Sequence, residues 1–332
     1  MPGVFVRRRE QESRRIANRI LDVAVATLSV STLAAFAAGT WWGLELLSNL
    51  RAHQALALAG LAVTALLCRR MFTAVAAVLA MGVNLAVVGP IVIDAAWGEP
   101  APAAADSSAL DVTFFNTKIF QADMDDTIAT LAARDDDVVV LAGGTKRWVE
   151  QIEAADLDLQ VLVGPHTHDG LELIALARDP GAEATVHEIG QEDRDVFVEV
   201  LVDLDGQPVR VLGTHVVSPL TADRAARRGA MLDWVPGWTG RSDVPAVVMG
   251  DLNATPWSPA LIGMLEEAGL IDSQVGHGLQ ASYPASLRWL GIPIDHVLHG
   301  PELTTTNRRL GPSLGSDHRM VHATLTSVVG RP

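Results

Sequence analysis

The chain has 332 residues, 49% of them hydrophobic, and a single cysteine, Cys68, so there is room for a large core and no internal disulfide. Its formal charge of −14 is unevenly spread: residues 1–98 hold 9 of the 25 Lys/Arg and 5 of the 39 Asp/Glu, about +4, which leaves about −18 on the remainder. A body that acidic lacks the positive field from which duplex binding draws its affinity, so a nonspecific nucleic-acid binder is disfavoured.

Residues 1–20 are polar and basic, with Arg7, Arg8, Arg9, Arg14, Arg15 and Arg19, and are expected to remain cytoplasmic. Residues 21–98 form a hydrophobic region with three apolar segments at about 23–43, 54–68 and 71–97. The first, closed by Trp41 and Trp42, and the third reach the roughly 20 residues that span a bilayer; the second is short and is either a span or a re-entrant segment. A cleaved signal peptide is a poor match to so long a run followed by further apolar segments. If all three segments cross, Arg69 and Arg70 return to the side of the basic start and the C-terminal body lies outside. If the second does not cross, the body lies inside. The positive-inside rule favours the first topology: a multi-pass protein of the cytoplasmic membrane with an extracytoplasmic C-terminal domain.

Residues 99–110, EPAPAAADSSAL, have the composition of a linker. The remainder, 111–328, alternates short β-rich runs with helical patterns. Strands are expected at 111–115, 137–141, 171–177, 196–202, 209–213, 244–249 and 294–299, and helices at about 123–134, 146–155, 221–234 and 258–268. That mixture predicts a layered α/β (α+β) sandwich.

Several of the apolar runs deliver a polar side chain at their end: Asn116, His215 in VRVLGTH, Asp251 and Asn253 in VVMGDLN, Asp295 and His296 in IPIDHVL, Asp317 and His318 in GSDHRMV. Strand ends are where α/β sheets place their sites. Asp and Asn oxygens are hard ligands for Mg²⁺, Mn²⁺ or Ca²⁺, and His serves as a base or stabilises phosphate charge. Hydrolysis of a phosphoester by water needs that set. Taken singly, a Gly-Asp-x-Asn turn is more often a structural loop, and an Asp-His pair is more often surface.

Taken in order, FFNTKIF, VLGTHVVSP, VVMGDLNATPWSP, IPIDHVL and LGSDHRMVHATL resemble the endonuclease/exonuclease/phosphatase superfamily over about residues 111–325. The hydrophobic head is similar to that of its membrane-anchored bacterial members. The resemblance implies a four-layer sandwich, two packed β-sheets flanked by helices, and a membrane-anchored phosphatase or phosphodiesterase dependent on Mg²⁺ or Mn²⁺. It implies that Asn116 helps bind the metal or phosphate, that Asp317 binds a metal or pairs with His318, that His215 contacts the scissile phosphate, and that Asp251 orients or ionises the attacking water. Asn253 would hold phosphate or metal, Asp295 would orient, and His318 would be the general base. The expected partners are a phosphoester substrate, with lipid head groups among the candidates, and the membrane.

One position departs from the pattern. The family carries a Gln-Glu pair after its second strand, the Glu being a principal metal ligand; VVVLAGGTKRW has Ala142 and Gly143 there. Loss of that carboxylate weakens a metal site. Three readings stand: a catalytically impaired pseudoenzyme that binds a phosphate ligand or partner, a metal held by the remaining residues, or a substitute such as Glu172, His166 or His168. Lys146 could supply charge to a phosphate, or be an exposed helix lysine. His166 and His168 read as surface without a third zinc ligand. Trp257 and Trp289 read as packing, Arg224, Arg227 and Arg228 as a solvated helix face, and 135–137 as a solvated acidic turn.

Overall fold

The computed structural model describes residues 2–104, 107–118, 122–165, 172–189, 195–287 and 289–329, with no side-chain detail for 2–8. The chain divides into two compact units, Met1–Ile91 and Val92–Pro332.

The first unit is helical: α1 (Pro2–Ala34), a 3₁₀ turn (Ala35–Thr40), α2 (Trp42–Asn49), α3 (Arg51–Leu67) and most of α4 (Met71–Trp97). Two stretches, Arg9–Thr40 and Met71–Trp97, are long and apolar enough to cross a membrane; α2 and α3, bent by 62°, make a third if they are one span. Small residues let these helices approach closely: Ala62, Ala65, Ala74 and Ala77 pack with Leu21, Val25 and Leu58. Polar side chains inside the bundle satisfy one another. Asn84 donates to Thr32 (2.8 Å) and Gln54 to Ser31 (2.9 Å). At the bundle surface, Asp22 pairs with Arg70 and accepts from Thr73 (2.6 Å).

The second unit contains β1 (Leu110–Asn116), α5 (Met124–Ala132), β2 (Val138–Ala142), α6 (Lys146–Ala154), β3 (Gln160–Val163), β4 (Leu173–Ala177), β5 (Glu183–Ile189), β6 (Asp195–Leu204), β7 (Gln207–His215), α7 (Ala222–Thr239), β8 (Ala246–Asp251), α8 (Pro259–Ala268), β9 (Ile271–Asp272), β10 (Asp295–His299), β11 (Leu303–Leu310) and β12 (Val321–Ser327). The strands form two six-stranded mixed sheets, ordered β11-β12-β1-β2-β4-β3 and β5-β6-β7-β8-β10-β9. Period-two alternation builds the layers. Val112, Phe114, Val138 and Val140 of one sheet meet Val209, Val211, Val247 and Met249 of the other in the central core. Their sequence neighbours face outward: Phe115, Val139 and Leu141 pack beneath α5 and α6. Leu212 and Val248 pack beneath α7 and α8. Two sheets flanked by helices is the expected sandwich.

β3, β5, β9, β11 and β12 were not foreseen. Four of them are edge or near-edge strands with mixed faces, as in EATVHEI and LTTTNRRL, and β9 has two residues. Nor do residues 99–110 behave as a free linker: Ala104 N–H donates to Ser327 O (2.8 Å), Thr304 Oγ1 to Ala101 O (2.7 Å), and Ser108 N–H to Asp205 (2.6 Å). The acidic 135–137 turn is built in as well. Asp136 is buried and takes Arg134 with both oxygens (2.6 and 2.7 Å), and Asp137 accepts from Asp111 N–H (2.7 Å).

Candidate active site

Each sheet holds one parallel pair at its centre, β1 with β2 and β7 with β8. The carboxyl ends of these pairs carry the polar residues. Asn116 stands opposite Ala142, His215 opposite Asp251, and Asp295, starting antiparallel β10, also opposite Asp251. Stacking the sheets closes the ends on one another: Asn116 Nδ2 donates to Asp251 Oδ2 (3.0 Å) across the interface. His318 comes from the β11–β12 connection, fastened by Ser316 Oγ, which donates to Asn116 O (2.7 Å) and accepts from His318 N–H (3.0 Å).

At the centre His318 Nδ1 faces Asp295, with Oδ2 at 2.9 Å and Oδ1 at 3.2 Å, while its Nε2 lies 3.7 Å from Asp251 Oδ2. Tyr283 lies against the imidazole, centroids 4.8 Å apart. Burial opposes charge on His318, but Asp295, then Asp251 and Asp317, raise its pKa to about 9. Burial, reinforced by Asp295, pushes Asp251 well above the usual carboxylate range against the pull of His318. His215 Nε2 is 3.8 Å from Asp251 Oδ2. Burial and the charge of His318, with Lys118 and Arg224 adding to them against Asp295, hold His215 down at about 4, so it is neutral at neutral pH. A buried Asp-His pair beside a second carboxylate and a neutral imidazole is equipped to move a proton and to bind an anion.

Asn253 sits near the centre as a brace. It adopts φ 48°, its N–H donates to Asp251 Oδ1 (2.9 Å), and its amide donates to Val216 O (2.8 Å), tying the ends of β7 and β8. Arg228, read from sequence as solvated, is buried and donates to Asn253 O (3.2 Å). Its neighbours are engaged too, Arg227 with Asp195 (2.8 Å) and Arg224 with Ser218 O (3.0 Å). His296 points the other way, between Asp272 (3.1 Å) and Ala254 O (2.9 Å). Trp257 is buried packing, but Trp289 is 91% exposed, contrary to the packing expected of it. Lys146 is exposed at the start of α6, and His166 and His168 lie outside the described residues.

A residue that sequence reading overlooked stands at the mouth: Lys118, whose Nζ is 3.1 Å from Asp317 Oδ2. Its signal was its place in FFNTKIF, two residues after Asn116.

Among the described residues, Asp251, Asp295 and His318 form a group that could hold a metal ion, with ligand atoms within 4.8 Å of one another; Glu172 is not in it. The surroundings do not suit a hard divalent ion in the place the resemblance implies. Gly143 offers no side chain, and at φ 74° its backbone lies where a glutamate would be strained. Asn116 Oδ1 accepts from Lys118 N–H (3.0 Å), and Asp317 holds an ammonium. Both oxygens of Asp295 lie against the single Nδ1 of His318, at 2.9 and 3.2 Å. Mg²⁺ and Mn²⁺ need several oxygens free to turn toward the ion.

A sequence profile of the Endonuclease/Exonuclease/phosphatase family matches residues 115–318. No curated protein sequence matches the chain. Similar solved structures include an endonuclease/exonuclease/phosphatase from Beutenbergia cavernae (21% identity, TM-score 0.52, 66% of this chain and 72% of that one). Others are D. rerio TDP2 complexed with a single-strand DNA product (18%, 0.55, 66% and 100%) and a mannosyl-6-phosphatase of Bacteroides thetaiotaomicron (13%, 0.51, 65% and 99%). At these identities the likeness is one of fold. The matched residues run from the end of β1 to His318 and so take in every strand end that meets at this pocket, and the chain belongs to the endonuclease/exonuclease/phosphatase family.

Proposed function

We propose that the second unit hydrolyses a phosphoester, and that the first anchors it in a membrane with the catalytic body on the side opposite the N-terminus. The observation that carries the chemistry is the buried Asp295–His318 pair aimed at Asp251, with neutral His215 beside it. Asp295 fixes the imidazole so that Nε2 faces the pocket. There it removes a proton from a water held by Asp251. The water oxygen bonds to phosphorus, the ester P–O bond breaks, and the proton on His318 passes to the leaving oxygen. Asn116 and His215 steady the phosphoryl oxygens. Bound Mg²⁺ or Mn²⁺ would supply Lewis acidity, but no step above depends on it.

Two observations bear on substrate and topology. The segment that begins at Tyr283, against His318, and whose Ala285 N–H donates to Asp317 O (2.7 Å), exposes Leu287, Trp289 and Leu290. Apolar side chains beside a polar pocket favour a phosphoester carried on a lipid. The pairing of Asp22 with Arg70 supports placing Arg70 on the side of the basic N-terminus, which makes α2–α3 a returning span and sends α4 outward.

The test is hydrolysis of p-nitrophenyl phosphate, bis-p-nitrophenyl phosphate and phospholipids by the full chain in detergent, with EDTA or with Mg²⁺ or Mn²⁺. Turnover abolished by His318→Ala supports the proposal. Failure on every substrate would leave the second reading, which Gly143 favours: a module that binds a phosphate-bearing ligand without cleaving it.

A further inference from the structure

We infer that Lys118 is the built-in cation of this pocket, taking the place of a divalent ion and binding phosphate oxygens through its ammonium group. The inference rests on the phosphoester reading above. The loop that carries Lys118 is anchored where the expected glutamate is missing: Thr117 donates both its N–H and its Oγ1 to Ala142 O, each at 2.8 Å. The chain then turns at Lys118 (φ 51°), whose N–H occupies Asn116 Oδ1 (3.0 Å), and its Nζ reaches Asp317 (3.1 Å). One residue therefore engages both side chains that sequence analysis assigned to metal, and its loop is fastened over the strand end that lacks the third. The charges agree as well. A glutamate with a divalent ion adds +1 to a pocket; Gly143 with Lys118 also adds +1.

The ammonium, though paired with Asp317, stays open to a ligand from solvent. Lys118 is 47% exposed, and it faces Asp317, whose Oδ1 is buried with no hydrogen-bond partner in the described structure, as is His215 Nδ1. A phosphate entering between Lys118 and the His215–His318 pair meets three nitrogen donors and no obligatory metal. The ligand class is a phosphate group, free or esterified.

The test uses the full chain in detergent. Inorganic phosphate, and separately glycerol phosphate as a head-group mimic, are titrated by calorimetry in EDTA. Mn²⁺ binding is followed by electron paramagnetic resonance. Wild type should bind phosphate in EDTA, Lys118→Gln should bind it at least about tenfold more weakly, and Lys118→Arg should retain most of the affinity. Lys118→Gln, with Asp317 released, should bind Mn²⁺ more tightly than wild type. Tighter binding of glycerol phosphate than of inorganic phosphate would assign the site to an ester, and the reverse to free phosphate; either supports the inference. Phosphate binding that requires Mg²⁺ or Mn²⁺ and ignores Lys118→Gln overturns it while leaving the phosphoester reading intact. No binding of either probe under any condition overturns both.

Discussion

If His318 is the base, the pH dependence of turnover is set by Asp295. A base must be neutral, and His318 is held at about 9. At pH 7 about one imidazole in a hundred is then unprotonated, so kcat/KM should rise about tenfold per pH unit from 7 and level off near 9. The rise from 6.5 to about 9 corresponds to roughly 3 kcal/mol favouring the imidazolium, with burial opposing it and Asp295, then Asp251 and Asp317, supplying it. Asp295→Asn keeps the shape and removes the leading charge. It should lower the inflection by at least about one pH unit, while reducing the maximal rate because the tautomer is no longer enforced. The assay is a pH–rate profile on p-nitrophenyl phosphate, paired with an NMR titration of the His318 ring. A wild-type profile flat from pH 6 to 9, or an inflection unmoved by Asp295→Asn, would refute the assignment of His318 as a base governed by Asp295.

Three further outcomes follow from the packing. Gly250→Ala would put a Cβ 2.2 Å from Thr214 O, a backbone atom, so β7 and β8 must shift; a loss of about 1–3 kcal/mol in urea unfolding, with lowered turnover because the pair carries His215 and Asp251, is expected. Phe114, fully buried between the sheets, should cost about 3–5 kcal/mol when replaced by Ala, read from the same transition. Asp272 is held at about 2 because the His296 bond and charge, the charge of Arg308 and the Gln274 N–H outweigh burial. Its folded pKa lies below the ordinary 3.8, so its stabilisation is complete above about pH 4 and is lost as pH falls toward 2. That amounts to roughly 2 kcal/mol; Asp272→Asn should destabilise at pH 6, and the difference from wild type should shrink by pH 2.5.

The sequence by itself determined the layers and which polar residues stand at the strand ends. Two-residue alternation in DVTFFN and VRVLGTH fixes which side chains enter the central core, because a pleated strand has no other way to point them. Residues that break an apolar run, such as Asn116, His215 and Asp251, had to fall at strand ends, where a polar group can be solvated or partnered. The hydropathy of α1 and the extent of α4 were equally legible, but α1 begins at Pro2 inside the basic stretch and ends at Ala34, before the tryptophans expected to close the apolar segment at 23–43.

The tertiary structure decided what those ends meet. Asn116 and Asp251, 135 residues apart, touch because two sheets stack, a fact held in no local pattern. The edge strands β5 and β11 lacked a readable period because only part of each is buried. Arg228 read as a solvated cation and Lys118 was passed over, since a charged side chain declares its partner only when the fold brings a carboxylate or a carbonyl to it. The sequence showed that Gly143 removes a ligand; only the folded loop showed a lysine beside the gap, since electrostatic compensation acts through space and not along the chain.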